Sequence, residues 1–85
     1  MEYPILLSPI QVGPVTLKNR VIFSAHLTNM AEQHMPSRKQ AYYYAERAKG
    51  GAGLIITEET SVHPTDWAYE KLIDAFSPAV IPGYR

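Results

Sequence analysis

The residues with the most chemical capacity in this chain follow its most apolar run, where Leu54-Ile55-Ile56 leads through Thr57 into two adjacent carboxylates, Glu58 and Glu59. Paired carboxylates are tools of general acid/base chemistry and of glycoside cleavage. Neighbouring residues on an extended strand face opposite ways, so these two cannot converge on one substrate while the strand persists. Taken alone they read as an exit into solvent or as salt-bridge partners of a neighbouring loop. Three histidines are the other candidates. His26 follows the short apolar run Val21-Ile22-Phe23, where a ligand-facing role and a bond to a backbone carbonyl are both open. His34, beside Met35-Pro36, reads as a solvated loop residue, and His63-Pro64-Thr65-Asp66 has no metal-ligand spacing, so no metal site is expected. Tyr42, Tyr43 and Tyr44 fall in a helical stretch, where packing accounts for them with one ring facing the core. The absence of cysteine removes disulfides, thiolate zinc sites and a thiol nucleophile from this segment.

The elements that must position these groups are legible from pattern. Gly13-Pro14 between two short β-branched runs predicts a hairpin over residues 9–17. A short apolar strand is expected over 21–25, introduced by the polar Lys18-Asn19-Arg20. Ser37 can cap a helix and Gln40, three residues on, can complete a capping box. Ala41, Tyr44, Ala45 and Ala48 then make one stripe at helical spacing, Arg47 and Lys49 suit the carbonyl end, and Gly50-Gly51 stops a helix expected over 37–49. The Gly50-Gly51-Ala52-Gly53 cluster follows a helix and precedes a strand, the reverse of a phosphate-binding loop. A second buried strand is expected over 53–58. Two continuously apolar strands joined by a helix make a βαβ unit of a parallel α/β sheet covered on both faces. Residues 61–82, rich in proline and poor in periodicity, read as a long loop, with Pro82 able to open another helix.

In such folds ligands gather outside the carboxyl ends of the strands. Those ends carry residues 24–28 and the two glutamates, and His26 is expected within reach of Glu59. With 46% hydrophobic and 19% charged residues, the 85-residue chain is packed, not disordered. Eight basic residues balance eight acidic ones without forming a stripe, which argues against nucleic acid and a membrane surface as partners. The N-terminal MEYPILLSP has no basic region and only a three-residue apolar run, so a cytoplasmic location is expected. A two-stranded parallel sheet leaves both edges open, and the chain is therefore expected to be the front end of a larger domain.

The segments SPIQVGPVTLKNRVIF, YYAERAKGGAGLIITE, VHP and IPGYR, in that order, resemble the N-terminal portion of the old yellow enzyme family of NADH:flavin oxidoreductases. The likeness runs from about Leu7 to Arg85 and is strongest to the branch of 2,4-dienoyl-CoA reductase, trimethylamine dehydrogenase and mycofactocin-associated enzymes. It implies an α/β fold, with residues 1–85 forming the N-terminal hairpin and first βαβ unit of a flavin-binding (β/α)₈ TIM barrel of roughly 250 residues. It implies FMN as cofactor and NAD(P)H as reductant, with an iron–sulfur cluster and FAD as further groups of a C-terminal part.

By the same resemblance Ala25, His26 and Leu27 lie against the flavin ring, and the backbone N–H of Glu59 lies near its pyrimidine edge. Leu27 stands where one branch has a flavin-linked cysteine, so a covalent link there is excluded. The implied reaction passes hydride from NAD(P)H through flavin to an activated C=C bond of a small-molecule substrate, in a protein able to form a homo-oligomer. The family's catalytic acid and phosphate-gripping arginine match nothing in these residues. Amine dehydrogenation, another (β/α)₈ enzyme and a non-catalytic interaction module are the alternatives.

Overall fold

The computed structural model describes residues 2–66 and 69–85. Strands β1 (Ile10–Val12) and β2 (Val15–Leu17) pair antiparallel, with Val12 opposite Val15. Gly13 turns the chain at φ 58°, a left-handed conformation that costs glycine little and a Cβ-bearing residue more. The hairpin expected over 9–17 is therefore present. It is fastened to the next element by Arg20, whose N–H donates to the Leu6 carbonyl at 3.0 Å and whose Nε donates to Ser8 Oγ at 3.2 Å.

The βαβ unit follows in the expected order. β3 (Ile22–Phe23) and β4 (Leu54–Ile55) pair parallel, Ile22 against Leu54 and Phe23 against Ile55, with α1 (Arg38–Lys49) between them in sequence. Both strands are shorter than the expected 21–25 and 53–58, because beyond Ile56 N–H, which donates to the Phe23 carbonyl at 3.0 Å, the two backbones separate. They are also less buried than their apolar character implies: Ile22 is 53% and Leu54 36% exposed. Parallel strands are buried on both faces only where elements lie on both. Here α1 packs against β4, and Tyr43 of α1 meets Phe23 of β3.

Ser37 caps α1 as expected. Its Oγ accepts from Gln40 N–H at 3.2 Å and Gln40 Oε1 accepts from Ser37 N–H at 2.9 Å, a complete capping box, of which the cap alone stabilises by about 1 kcal/mol. The expected apolar stripe is only partly used. Ala41, Ala45 and Ala48 are exposed and Tyr44 is half-buried, whereas the buried helix residue is the polar Gln40. Hydrogen bonding at the end of β4, described below, docks this helix more than apolar contact does.

The long loop expected over 61–82 is partly ordered instead. β5 (Thr60–Ser61) pairs parallel with β6 (Ile73–Asp74), a 3₁₀ turn spans Pro78–Val80 under a Ser77 cap, and α2 (Ile81–Tyr84) follows with Pro82 in its first turn. Two-residue strands are too short to show periodicity, which is why pattern missed them. Leu72, Ile73, Val80 and Ala31 form the most buried apolar group, so this region supplies what core the chain has. Residues 67 and 68 of the loop reading lie outside the described residues. Among the described residues no helix is long and apolar enough to cross a membrane.

Candidate functional site

Parallel pairing brings the carboxyl ends of β3 and β4 to one rim, formed by residues 24–28 on one side and 56–59 on the other. Ala25, His26 and Glu59 are exposed there and Leu27 is half-buried. Among the described residues the main chain of Ala25, Leu27 and Glu59 makes no hydrogen bond.

Glu58 and Glu59 diverge, as expected, but Glu58 does not reach solvent and, among the described residues, pairs with no basic residue. It is 5% exposed, and its carboxylate collects four donors. Thr28 gives its N–H to Oε2 at 3.0 Å and its hydroxyl to both oxygens at 2.8 and 2.9 Å. Gln40 Nε2 donates to Oε1, and Tyr44 OH donates to the same oxygen at 3.3 Å while accepting Glu58 N–H at 3.0 Å. Burying a carboxylate is tolerable only with such compensation. The expected exit of Glu58 into solvent is thus corrected, and the reason is geometric: the strand ends at Ile55, so the chain is free to turn this side chain inward. Thr28, Gln40 and Tyr44 escaped the sequence reading as site residues, although Gln40 and Tyr44 stood out there as a cap partner and as part of the stripe, four residues apart on one helix face.

His26 turns to α1 and not to Glu59. Its Nε2 lies 3.0 Å from Tyr43 OH, and its ring stands edge-on to Phe23 and Tyr43 at centroid separations of 5.4 and 5.8 Å. The Arg47 guanidinium covers the Tyr43 ring at 3.8 Å. Tyr43 and Tyr44 are both half-buried and make specific contacts, where one ring of the run was expected to face the core, and Tyr42 is 65% exposed. His34 is another correction. It is tied to β6 through Nδ1, 3.1 Å from the Leu72 carbonyl and 4.0 Å from Asp74 Oδ1, because the Asp74 N–H takes the His34 carbonyl at 2.9 Å and draws the two segments together. His63 bonds Thr65 locally at 2.8 Å. Among the described residues no three His, Asp or Glu gather as metal ligands.

Asn19 holds the opposite end of the strand pair. Its Oδ1 accepts Val21 N–H at 2.9 Å and its Nδ2 donates to the Gly51 carbonyl at 2.7 Å, joining the start of β3 to the turn before β4. The Asn of the Leu-Lys-Asn-Arg motif is thus a buried connector.

A cavity of about 140 Å³ lies between the start of α1, the end of β4 and α2, walled by Pro36, Ala41, Tyr44, Glu58, Ile73 and Tyr84. Burial holds the Tyr44 hydroxyl above its ordinary pKa; the Glu58 N–H that it accepts pulls the other way, and the negative Glu58 carboxylate adds to the rise. Tyr84 is raised by the same burial and the same carboxylate. The folded state therefore keeps the Tyr44 proton at pH values where the unfolded chain has lost it. That contribution to stability is complete below about pH 10 and is lost as pH climbs through the raised folded value. An ultraviolet tyrosinate titration of the intact protein is expected to show a late-ionising component that Tyr44→Phe reduces by the Tyr44 share, leaving that of Tyr84. Loss of only an ordinary component would refute it.

Residues 5–85 match the NADH:flavin oxidoreductase / NADH oxidase family. The chain is 31% identical over 88 aligned positions to N,N-dimethylglycine/sarcosine dehydrogenase of Chromohalobacter salexigens, covering 100% of this chain and 13% of that protein. It is 31% identical to 12-oxophytodienoate reductase 1 of Oryza sativa subsp. japonica, covering 94% of this chain and 23% of the relative. The old yellow enzyme from Trypanosoma cruzi superposes with a TM-score of 0.88 at 33% identity, over 99% of this chain and 22% of that one. The chain thus spans less than a quarter of the length of each of these relatives. Its hairpin and βαβ unit have the α/β architecture of the N-terminal part of the family's (β/α)₈ barrel, and the chain belongs to the NADH:flavin oxidoreductase family that includes the old yellow enzymes.

Proposed function

We propose that residues 1–85 are the N-terminal part of an FMN-dependent, cytoplasmic oxidoreductase that reduces an electron-poor C=C bond of a small molecule with NAD(P)H, and that the segment alone is inactive. The observation that carries the reading is the rim: within a chain matched to the family over residues 5–85, the exposed strand ends present main-chain N–H groups that make no hydrogen bond among the described residues, beside an apolar side chain. Those groups fit a flavin, whose ring needs apolar cover and whose pyrimidine edge needs donors. Ala25, His26 and Leu27 would line the ring, and Glu59 N–H would meet its polar edge. The chemistry that FMN supplies when bound is hydride acceptance from NAD(P)H and hydride delivery to the alkene. The chain's own part is to hold the rim in place through the Thr28–Glu58 bonds and to offer donors there. The finer placement in the branch of 2,4-dienoyl-CoA reductase, with an iron–sulfur cluster and FAD elsewhere in the protein, belongs to the same proposal.

A second reading is oxidation of an N-methylated amine. It is favoured by the likeness to N,N-dimethylglycine/sarcosine dehydrogenase, which covers 100% of the chain. One experiment separates the two. The intact protein, purified anaerobically, is expected to be yellow, to release its flavin on denaturation, to bleach with NADH or NADPH and to recolour with an α,β-unsaturated ketone. Bleaching by an N-methylated amine without NAD(P)H would select the second reading. Failure to take up FMN would overturn both.

A further inference from the structure

The one histidine of the rim, His26, is held from outside it. Phe23, at the end of β3, and Tyr43, on α1, meet its ring edge-on and meet each other at 6.1 Å, so three rings form a closed triangle. Edge-to-face is a preferred arrangement of aromatic rings, with the positive edge of one against the negative face of another. Arg47, one turn along α1 from Tyr43, closes the back of the triangle, 3.8 Å from the Tyr43 centroid and 5.8 Å from that of Phe23. These are the groups packed against the imidazole from both elements that flank it.

The polar contact within the triangle has a direction. A cation over the face of a phenol ring draws electron density from it, which makes the hydroxyl a better donor and a poorer acceptor. This favours Tyr43 OH as the donor and His26 Nε2, 3.0 Å away, as the acceptor. A neutral imidazole that accepts at one nitrogen carries its proton on the other. Nδ1 is that other nitrogen; His26 is exposed, and no bond to Nδ1 exists among the described residues.

We propose that Tyr43 is a positioning residue that fixes His26 as a single tautomer, with its proton on Nδ1, so that the rim offers one oriented N–H to a bound electron-rich group. That this group is a flavin rests on the function proposed above; the tautomer does not. The pairing also gives α1 a task at the rim, since Tyr43 and Arg47 lie on the helix and neither belongs to a strand end.

The test is long-range proton–nitrogen correlation NMR of the intact, flavin-bearing protein with labelled histidine, His26 being assigned by loss of its signals in His26→Gln. The wild type is expected to show a protonated Nδ1 and an unprotonated Nε2. Tyr43→Phe keeps all three rings and the Arg47 contact and removes only the hydroxyl, so it is expected to move the proton wholly or partly to Nε2. A proton on Nε2 in the wild type, alone or with Nδ1, overturns the proposal, as does an unchanged pattern in Tyr43→Phe. If the proton moves in a protein that binds no flavin, the positioning role stands and the flavin reading falls. If flavin is bound and the proton does not move, the reverse holds.

Discussion

Replacing Glu58 with alanine is expected to lower the unfolding free energy of the intact protein by about 3–5 kcal/mol, since removing one side of a buried, fully bonded cluster strands its partners at about 1–3 kcal/mol each. The Thr28 N–H and hydroxyl, Gln40 Nε2 and Tyr44 OH all lose their common acceptor. Glutamine at the same position keeps the shape and one oxygen. Oε2 accepts the Thr28 N–H and Oε1 accepts Gln40 Nε2, however, so whichever oxygen becomes the amide nitrogen meets an N–H donor, and about half of the loss is expected to remain. Tyr44→Phe, which removes the donation to Oε1 and leaves the Glu58 N–H without its acceptor, is expected to cost about 1–3 kcal/mol and grades the effect should the alanine variant fail to fold. Urea unfolding reads all three as midpoint shifts at constant slope. A loss below about 1 kcal/mol for Glu58→Ala would mean that the carboxylate is not the anchor of the rim.

The other large effect concerns Gly53. A Cβ there would lie 2.6 Å from both the backbone carbonyl oxygen and the side-chain Oδ1 of Asn19. Rotating the side chain relieves only one clash, because the carbonyl belongs to the main chain entering β3. Gly53→Ala is therefore expected to cost about 1–3 kcal/mol or to pull β3 and β4 apart. Asn19→Ala in the same chain gives no rescue, since it leaves the carbonyl in place and removes the bonds to Val21 and Gly51. Gly50→Ala is the control. Gly50 has φ −71° and its nearest contact would be 3.4 Å away, so that variant should unfold at nearly the wild-type urea concentration. Equal midpoints for the two alanine variants would dispose of the steric argument.

What could be seen in the sequence was whatever is local. The hairpin, the Ser37–Gln40 capping box and the glycine stop each depend on residues a few positions apart, the parallel order of the βαβ unit followed from two apolar runs on either side of one helix, and each is present. The carboxyl-end location of residues 24–28 and 56–59 followed from the topology of parallel sheets. What escaped depends on contacts between distant positions. Glu58 joins residues 28, 40 and 44, Asn19 joins 21 and 51, and His34 joins 72 and 74, and no periodicity encodes such pairs. Burial was misjudged for a related reason. Apolar runs such as Leu54-Ile55-Ile56 record how much surface a strand is built to cover, and Ile56 is nevertheless 47% exposed here.

The Thr28–Glu58 bonds bear on the cost of ligand capture. Residues 24–27 have no secondary structure, yet they are strung between Phe23, paired in the sheet, and Thr28, clamped across a sequence separation of 30 residues. A four-residue tether fixed at both ends has already surrendered much of the conformational freedom that would otherwise be lost when a ligand settles on it, an amount of about 1–2 kcal/mol for each backbone residue ordered. The buried carboxylate thereby acts on affinity from beneath the rim. It makes the surface above it preorganised, so that a ligand meets a segment whose ordering was completed during folding.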